Sequence, residues 1–324
     1  MESLKALPVD HPYLSASVAV AAPLLTYFYA DYRAYVAMGP HGLPDNLQGY
    51  ITQLKWHRIS RKDTTVPAPY DDAGGKTKPT TKIQPGSGEA LERAHRSFIL
   101  SQPPSSSGSN SNANGHAKMW ELTARPAPNG ARADGRPRLC SFVVPQRQLE
   151  GEATEAMKRD MNAFLDTLAA ANTEALLRGL SRLERTVAAV QVAAGHKGTA
   201  AVTKETRGEI LHVHPADGST HMLLSLADSR RVIETGWGER HRLSGGGMLP
   251  WGYTLGEFTV LLYLLSRCDF LCYEKLLFAN DDTAILVYAP RDEYDLGVWK
   301  KLAMAALRYC AAEVGEIRVP GGCC

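Results

Sequence analysis

The sequence has little net charge and no cysteine framework. Its 36 lysines and arginines nearly balance 34 aspartates and glutamates, which leaves a formal charge of +2. No global field therefore favours nucleic acid or an acidic partner, and we predict no nucleic-acid binding. The six cysteines lack paired CxxC spacing, which excludes a disulfide scaffold and fits a reducing compartment. They are Cys140, Cys268, Cys272, Cys310, Cys323 and Cys324.

Long hydrophobic runs are also scarce, apart from one near the N-terminus. Residues 12–30, PYLSASVAVAAPLLTYFYA, carry no charge and end in a Tyr-Phe-Tyr cluster. About 20 apolar residues cross a bilayer, and tyrosine favours the interface. We predict a membrane anchor over residues 1–38, with a cleaved signal peptide or a packed helix as alternatives. Basic residues between 55 and 62 predict a single-pass protein with its main domain in the cytosol, at the endoplasmic reticulum.

Composition divides the remainder of the chain. Residues 39–117 are predicted to be a juxtamembrane region with disordered linkers, of which SQPPSSSGSNSNANG (101–115) is the clearest. With 44% apolar residues overall, the chain can bury a substantial core, which we place at 118–318. Residues 319–324 form a tail.

Periodicity within 118–318 predicts an α+β fold, with a mostly antiparallel sheet and segregated helices, preceded by the N-terminal membrane helix. MWELTARPAP (119–128) and RPRLCSFVVP (136–145) are typical of two strands. Residues 150–192 repeat apolar positions at helical spacing and are predicted to be helical.

The densest group of chemically versatile side chains lies between residues 209 and 245. Four of the ten histidines fall within thirty residues, namely His212, His214, His221 and His241. Residues 209–214 predict a strand, and Asp217-Gly218 predicts a two-residue type I′ turn, because both residue types tolerate positive φ. Counted from that turn, His214 pairs with His221, and His212 shares their face of the ribbon.

A short helix is predicted after this hairpin. Ser225 with Asp228 three positions on is a capping-box-like start. Val232 and Ile233 supply an inner face, and Gly236 suits the left-handed position that ends a helix. Residues 237–241 then return as an extended segment, which brings the fourth imidazole toward the first three.

Several of these motifs resemble a known family. HVHPADGSTH (212–221), GWGERHRLSGG (236–246) and VYAPRDE (287–293) resemble the luciferase domain of the fungal luciferases and their non-luminous relatives. Residues 32–50, YRAYVAMGPHGLPDNLQGY, are similar to the segment that follows the membrane helix in those luciferases. The resemblance implies an oxygenase without a cofactor, in which a 3-hydroxy-2-pyrone takes up O2, closes to a strained peroxide and loses CO2. It does not imply light emission.

Such a reaction must remove an enolic proton and stabilise the resulting anion. Histidine, with an ordinary pKa of ~6.5, suits the role of base near neutral pH. The four clustered histidines are the candidates, with His214 and His221 ranked first because the predicted register sets them opposite each other. Arg240 or Arg291 would hold the developing charge. Asp217 or Glu239 would orient an imidazole, and Trp237, Arg291 and Asp292 are the candidate substrate contacts.

A metal site is the competing chemical hypothesis. Three imidazoles on one hairpin face, His212, His214 and His221, would bind Zn or Fe(II). The usual cupin pattern also has a Glu shortly after HxH, and this sequence has Asp217 instead.

Residues 256–284 interrupt the family pattern. In the family, something like LPWGYT runs almost directly into ILVYAPRDE, whereas here 29 residues intervene. Some residues of this stretch can be encoded by codons that contain splice signals, so one hypothesis is a translated intron; the other is a genuine insertion.

Taken together, the sequence predicts a membrane-anchored oxygenase or decarboxylase that acts on a hydroxylated 2-pyrone or related polyketide. The alternatives are a non-catalytic small-molecule-binding or scaffold protein of the same fold, and a histidine-ligated metalloenzyme.

Overall fold

The computed structural model describes residues 12–67, 96–99, 122–127, 135–193, 202–203, 206–244, 284–311 and 317–319. These ranges contain five helices and a six-stranded antiparallel sheet of order β1-β2-β3-β4-β6-β5. The elements are α1 Pro12–Ala37, α2 Leu47–Ile59, α3 Glu155–Ala171, β1 Leu176–Leu180, β2 Ala188–Val192, β3 Glu209–Val213, β4 Thr220–Leu223, α4 Leu226–Glu234, β5 Gly238–Arg240, β6 Ala284–Val287 and α5 Glu293–Ala311. The predicted α+β class is confirmed.

One face of the sheet packs against α3 and α5. Alternation along the strands points Leu211, Val213, Ile285 and Val287 to this side, where they join the main apolar core. Trp299 of α5 is fully covered, and its Nε1 donates to Thr220 Oγ1 at 2.9 Å. Full burial of a large apolar side chain stabilises the fold by about 1.5–3 kcal/mol. The packing on this face therefore holds the sheet against α3 and α5.

The other face of the sheet is covered by a smaller apolar cluster. Tyr35, Leu43 and Trp56 pack there beside Phe142, Leu183, Leu243 and their neighbours. The backbone of the same N-terminal segment also joins β5, since Arg240 N donates to Thr64 O at 2.7 Å. Part of the predicted juxtamembrane region, residues 41–64, thus packs on the sheet.

The prediction of a helix through residue 192 is wrong beyond Ala171. Helix α3 begins at the N-cap Thr154, whose side chain accepts from Met157 N, and ends at Asn172. Residues 176–192 form the β1–β2 hairpin instead, with Leu176 paired to Val192. The leucines of this stretch imitate helical spacing, but the strand-favouring Val187, Val190 and Val192 decide the outcome through packing on the sheet.

The two strands predicted before this helix are also absent from the described residues. Residues 122–127 are irregular, and in 135–150 only a single bridge, Leu139 to Gln148, is formed. Polar groups of these segments make hydrogen bonds outside a strand ladder. For example, the Arg136 guanidinium donates to Gly238 O at 2.8 Å. These segments line the edges of the domain without extending the sheet.

The local signals at both ends of α4 are confirmed. Ser225 caps α4 by accepting from Asp228 N, and Gly236 has φ of 78° just after its end. Helix α5 buries Leu296, Trp299 and Leu302.

Helix α1 is long and apolar enough to cross a membrane by length and composition. Its 26 residues extend about 39 Å at ~1.5 Å per residue, and none of its most apolar 18-residue window is buried. Near its end, Tyr35 is fully buried against the domain. Residues 68–95 and 100–121, which include the predicted linker at 101–115, lie outside the described residues, as do nearly all of the 256–284 segment and residues 320–324.

Candidate functional site

The hairpin that carries three of the histidines has a different register from the predicted one. His212 pairs with His221, and His214 N donates to Ser219 O at 2.9 Å, so four residues form the turn. Gly218 has φ of 80°, whereas Asp217 is not in the left-handed region that a type I′ turn requires. The register prediction is therefore wrong by two residues. Because two is the period of side-chain alternation, the three imidazoles still share one face.

All four histidines meet on that face. The ring centroids of His214 and His221 lie 4.6 Å apart, as do those of His221 and His241. His212 lies 5.1 Å from His214 and 5.3 Å from His221. His241 directly follows β5, and its backbone N–H donates to Ala284 O at 3.0 Å. Three strands thus supply one continuous group of rings.

Hydrogen bonds behind the rings fix their orientation. His212 Nδ1 lies 2.6 Å from Glu209 Oε1. His214 Nδ1 lies 2.8 Å from Ser219 Oγ, which itself donates to Asp217 Oδ2 at 2.8 Å. These partners accept protons, so each Nδ1 carries a hydrogen, and in neutral His214 the lone pair is therefore on Nε2.

Three imidazole nitrogens point into the centre of the group without a hydrogen-bond partner. Within the described ranges, His212 Nε2, His214 Nε2 and His221 Nδ1 are all covered from solvent and make no hydrogen bond. The His221 side chain as a whole is partly exposed, but its Nδ1 is not. Buried polar atoms are nearly always paired, so three together indicate a site that takes a ligand or ion.

A carboxylate that the sequence did not single out closes the group. Glu184, in the β1–β2 turn, places Oε1 3.6 Å from His212 Nε2 and 3.8 Å from His214 Nε2. Both its oxygens accept from Arg147 at 2.8 Å. The helical prediction for residues 150–192 concealed Glu184, and no local motif marks Arg147.

Burial sets the protonation of the rings. It lowers the pKa of His241 to about 3 and, together with the Arg147 charge, that of His214 to about 4. The pKa of His221 falls well below its ordinary value for the same reason, with the neighbouring imidazoles adding to it. Burial opposes charge on His212 too, but the Glu184 and Glu209 carboxylates outweigh it and raise its pKa to about 9. One imidazolium therefore stands among three neutral rings.

A cavity of about 40 Å³ lies against the cluster. At ~10–15 Å³ for each water molecule, it has room for roughly three waters, or for O2. Its wall includes Trp56, Leu183 and Leu243 together with His212, His221 and His241. A ring-shaped substrate would need some of these side chains to move.

Of the other predicted site residues, Asp217 and Glu239 lie near the histidines, whereas Arg240 does not. Asp217 lies behind His214, and Glu239 shares the cluster face but binds Gln146 Nε2 at 3.1 Å and Tyr288 Oη at 3.2 Å. Burial raises the pKa of Glu239 above its ordinary value. Arg240 alternates with Glu239 along β5 and, paired with Ile285, lies on the opposite face.

The structure does not bring the predicted substrate contacts to the cluster. Trp237 is buried in the main core, and its Nε1 donates to Thr123 O at 2.8 Å. Arg291 bonds to Asp295 at 2.6 Å, and Asp292 accepts from Asp295 N at the start of α5.

Comparison with known proteins bears on the same region. A family model described as "Luciferase domain" matches residues 207–306, an interval that contains all four clustered histidines. Glu184 and Arg147 precede it. No curated protein and no solved structure matches the chain significantly.

Proposed function

We propose that the protein is an oxygenase that joins O2 to a small enolisable substrate, because a family model described as "Luciferase domain" matches residues 207–306. The observation that carries the proposal is the convergence of four imidazoles from three strands beside a cavity. The substrate class that the family resemblance favours is a hydroxylated 2-pyrone or a related polyketide.

The reaction needs an acceptor for the enolic proton. Of the clustered rings, His221 is the best placed, since it lines the cavity and is partly exposed. An enolate beside the ring would raise the low pKa of His221, because an opposite charge favours the imidazolium. His241 is less suited, because its Nδ1 already accepts from Leu243 N at 3.1 Å.

The anion must then be stabilised until it passes an electron to O2. The His212 imidazolium, with a pKa of about 9, places positive charge at the cavity wall. In a water-poor site such a charge stabilises a developing enolate or peroxide more than it would in water. The later steps take place within the substrate and O2 without a further protein group. They are the electron transfer, formation of the C–O bond, closure of the peroxide and loss of CO2.

We also propose that α1 anchors the protein as a single-pass helix in the endoplasmic reticulum membrane, with the main domain in the cytosol. The exposed apolar surface of α1 and the basic residues after it support this topology. The chain just after α1 supplies Gly42, Leu43 and Trp56 to the cavity wall. Part of the cavity wall thus follows the proposed anchor within a few residues. A cavity near the membrane would suit an apolar substrate that partitions into the bilayer.

Oxygen consumption tests the proposal. The full chain in detergent, given a panel of 3-hydroxy-2-pyrones, is expected to consume O2 and release CO2 in equal amounts. Heat-denatured protein is the control for the uncatalysed reaction. Uptake that never exceeds this background across the panel would contradict the oxygenase function.

The weak basicity of the buried imidazoles favours a second candidate, a non-catalytic protein that binds the same class of molecule. Calorimetry distinguishes the two. Saturable binding of a pyrone with no oxygen uptake would support the binding protein and exclude the enzyme for that ligand.

A further inference from the structure

We propose that Glu184, His212, His214 and His221 bind one divalent first-row transition-metal ion. The inference concerns the same centre as the proposed oxygenase but does not depend on that reaction. It departs from the cofactor-free expectation that the family resemblance carries, and it adds Glu184 to the three histidines that the hairpin pattern suggests.

Hydrogen bonds already orient the donor atoms of His212 and His214 toward the centre of the group. Glu209 holds the proton of His212 on Nδ1, and the Ser219 hydroxyl does the same for His214. His212 Nε2, His214 Nε2 and His221 Nδ1 are covered from solvent without a hydrogen-bond partner in the described chain. An ion bound there would replace the proton on His212 Nε2. A neutral imidazole with one free nitrogen is the form that binds a metal ion.

The spacing of these atoms fits a small coordination sphere. One ligand atom from each of the four residues lies within 4.8 Å of all the others. Ligands ~2.1 Å from a tetrahedral ion are about 3.4 Å apart. Glu184 Oε1 lies 3.6 Å from His212 Nε2 and 3.8 Å from His214 Nε2, so each of these two distances needs to close by only a few tenths of an ångström.

The outer partners match those that accompany metal ligands elsewhere. Metal-binding histidines usually donate their second N–H to a carboxylate or another acceptor, and ligating carboxylates are themselves hydrogen-bonded. Here Glu209 supports His212, the Ser219–Asp217 pair supports His214, and Arg147 holds both oxygens of Glu184. Every ligand except His221 therefore has an orienting partner among the described residues.

The donor set indicates the class of ion. Three imidazole nitrogens and one carboxylate oxygen suit Zn(II) or Fe(II) rather than the all-oxygen sites of calcium or magnesium. His212 and His221 also line the cavity, which leaves an open side from which water or a substrate oxygen can reach the ion. A bound ion would take the place of the His212 proton as the positive charge of the centre.

Metal content and cobalt binding test the site directly. The full chain, purified without chelator, is expected to retain about one equivalent of zinc or iron by elemental analysis. After chelation, titration with Co(II) should give visible d–d absorption that saturates at one equivalent and disappears when Zn(II) is added.

Variants separate this site from adventitious binding. Glu184→Gln and His221→Ala should each weaken Co(II) binding at least tenfold. Ser219→Ala, which removes only the partner of His214, should weaken it by roughly 10–100-fold. The matched control is His57→Ala, an exposed histidine of α2, which should leave the titration unchanged. Circular dichroism establishes that each variant is folded.

Two results would overturn the site. One is folded protein that retains no stoichiometric metal and gives no Co(II) absorption. The other is absorption that persists in Glu184→Gln and His221→Ala. Oxygen uptake by metal-free protein would leave the proposed reaction intact, whereas metal binding without oxygen uptake would leave the site intact.

Discussion

Individual residues of the cluster owe their properties to charges that are far away in sequence. Arg147 and Glu184 are both buried and joined at 2.8 Å. The Glu184 carboxylate in turn raises the pKa of His212, while the Arg147 charge adds to burial in lowering that of His214. One buried ion pair therefore sets the protonation of two neighbouring imidazoles in opposite directions.

Removing one partner of this pair should be costly. Arg147→Met leaves the Glu184 charge buried and unpaired, and we expect a loss of about 3–5 kcal/mol in the free energy of unfolding. Urea denaturation of the full chain in detergent measures it. The exposed pair Arg230–Glu234 at 2.8 Å provides the control, since Arg230→Met should cost less than about 1 kcal/mol. Equal losses in the two variants would contradict the assigned role of burial.

His41 should make the fold sensitive to acid. Burial and the Arg147 charge lower its pKa from 6.5 to about 4. Between these values the unfolded chain binds a proton that the folded chain does not, so stability is lost as the pH falls below 6.5. The full loss, below pH 4, is on the order of 3 kcal/mol.

The substitution His41→Asn tests this, because the asparagine oxygen can accept from Leu43 N as His41 Nδ1 does at 3.1 Å. Denaturation midpoints at pH 7, 5.5 and 4.5 should fall more steeply for the natural chain than for the variant. Parallel curves would show that His41 does not titrate as described.

Residue patterns predicted that the histidines share one face of the sheet, but they did not predict all the residues that meet there. Alternation with a period of two holds whether the turn has two residues or four, so His212, His214 and His221 share a face in either register. Arg147 and Glu184 reach the same place only through tertiary packing, which no local pattern records.

At the level of elements, two glycines with the same backbone conformation have different surroundings. Gly218, in the histidine hairpin, has φ of 80°, and a Cβ there would lie 2.6 Å from Ala153 Cβ. Gly236, after α4, has φ of 78°, and apart from its chain neighbours no atom of the described residues lies within 4 Å of such a Cβ. The hairpin turn is thus packed against Ala153, just before α3, whereas no described residue crowds the end of α4.

We expect Gly236→Ala to lose about 1–2 kcal/mol from left-handed strain alone. Gly218→Ala should lose more, because strain and a steric clash add, and its cobalt or substrate binding should fall with it. Thermal denaturation compares the two variants directly. A smaller loss at Gly218 than at Gly236 would contradict the tight packing of the hairpin turn.

Elements with caps were the most predictable ones. α4 has Ser225 at one end and Gly236 at the other, and both signals act within a few residues. The β1–β2 hairpin was not predictable, because Leu176, Leu180 and Leu183 satisfy helical spacing. The pairing of β2 with β3 and the packing of α3 on β1, both tertiary, favour strands instead.

At the scale of the whole molecule, the segment after α1 connects the proposed anchor to the site. Leu43 and Trp56 wall the cavity, and Thr64 bonds to β5. Sequence composition marked residues 39–117 as juxtamembrane and linker, since burial of a few aromatic residues among polar ones leaves little periodic signal.

Deletion of residues 1–30 separates anchoring from folding. The shortened chain keeps Tyr35, which is fully buried, and should stay folded while moving from the carbonate-washed membrane pellet to the soluble fraction. Retention in the pellet by a folded chain would show that α1 is not the anchor.

The central claim is that the histidine face is a reaction centre. Oxygen uptake by three folded forms, the natural chain, His221→Ala and His57→Ala, tests it most directly with a 3-hydroxy-2-pyrone that the natural chain turns over. We predict a loss of at least 100-fold in His221→Ala, at the lower end of the ~10²–10⁴-fold that a positioned base contributes, and no change in His57→Ala. Equal rates in all three would show that the chemistry, if any, occurs elsewhere.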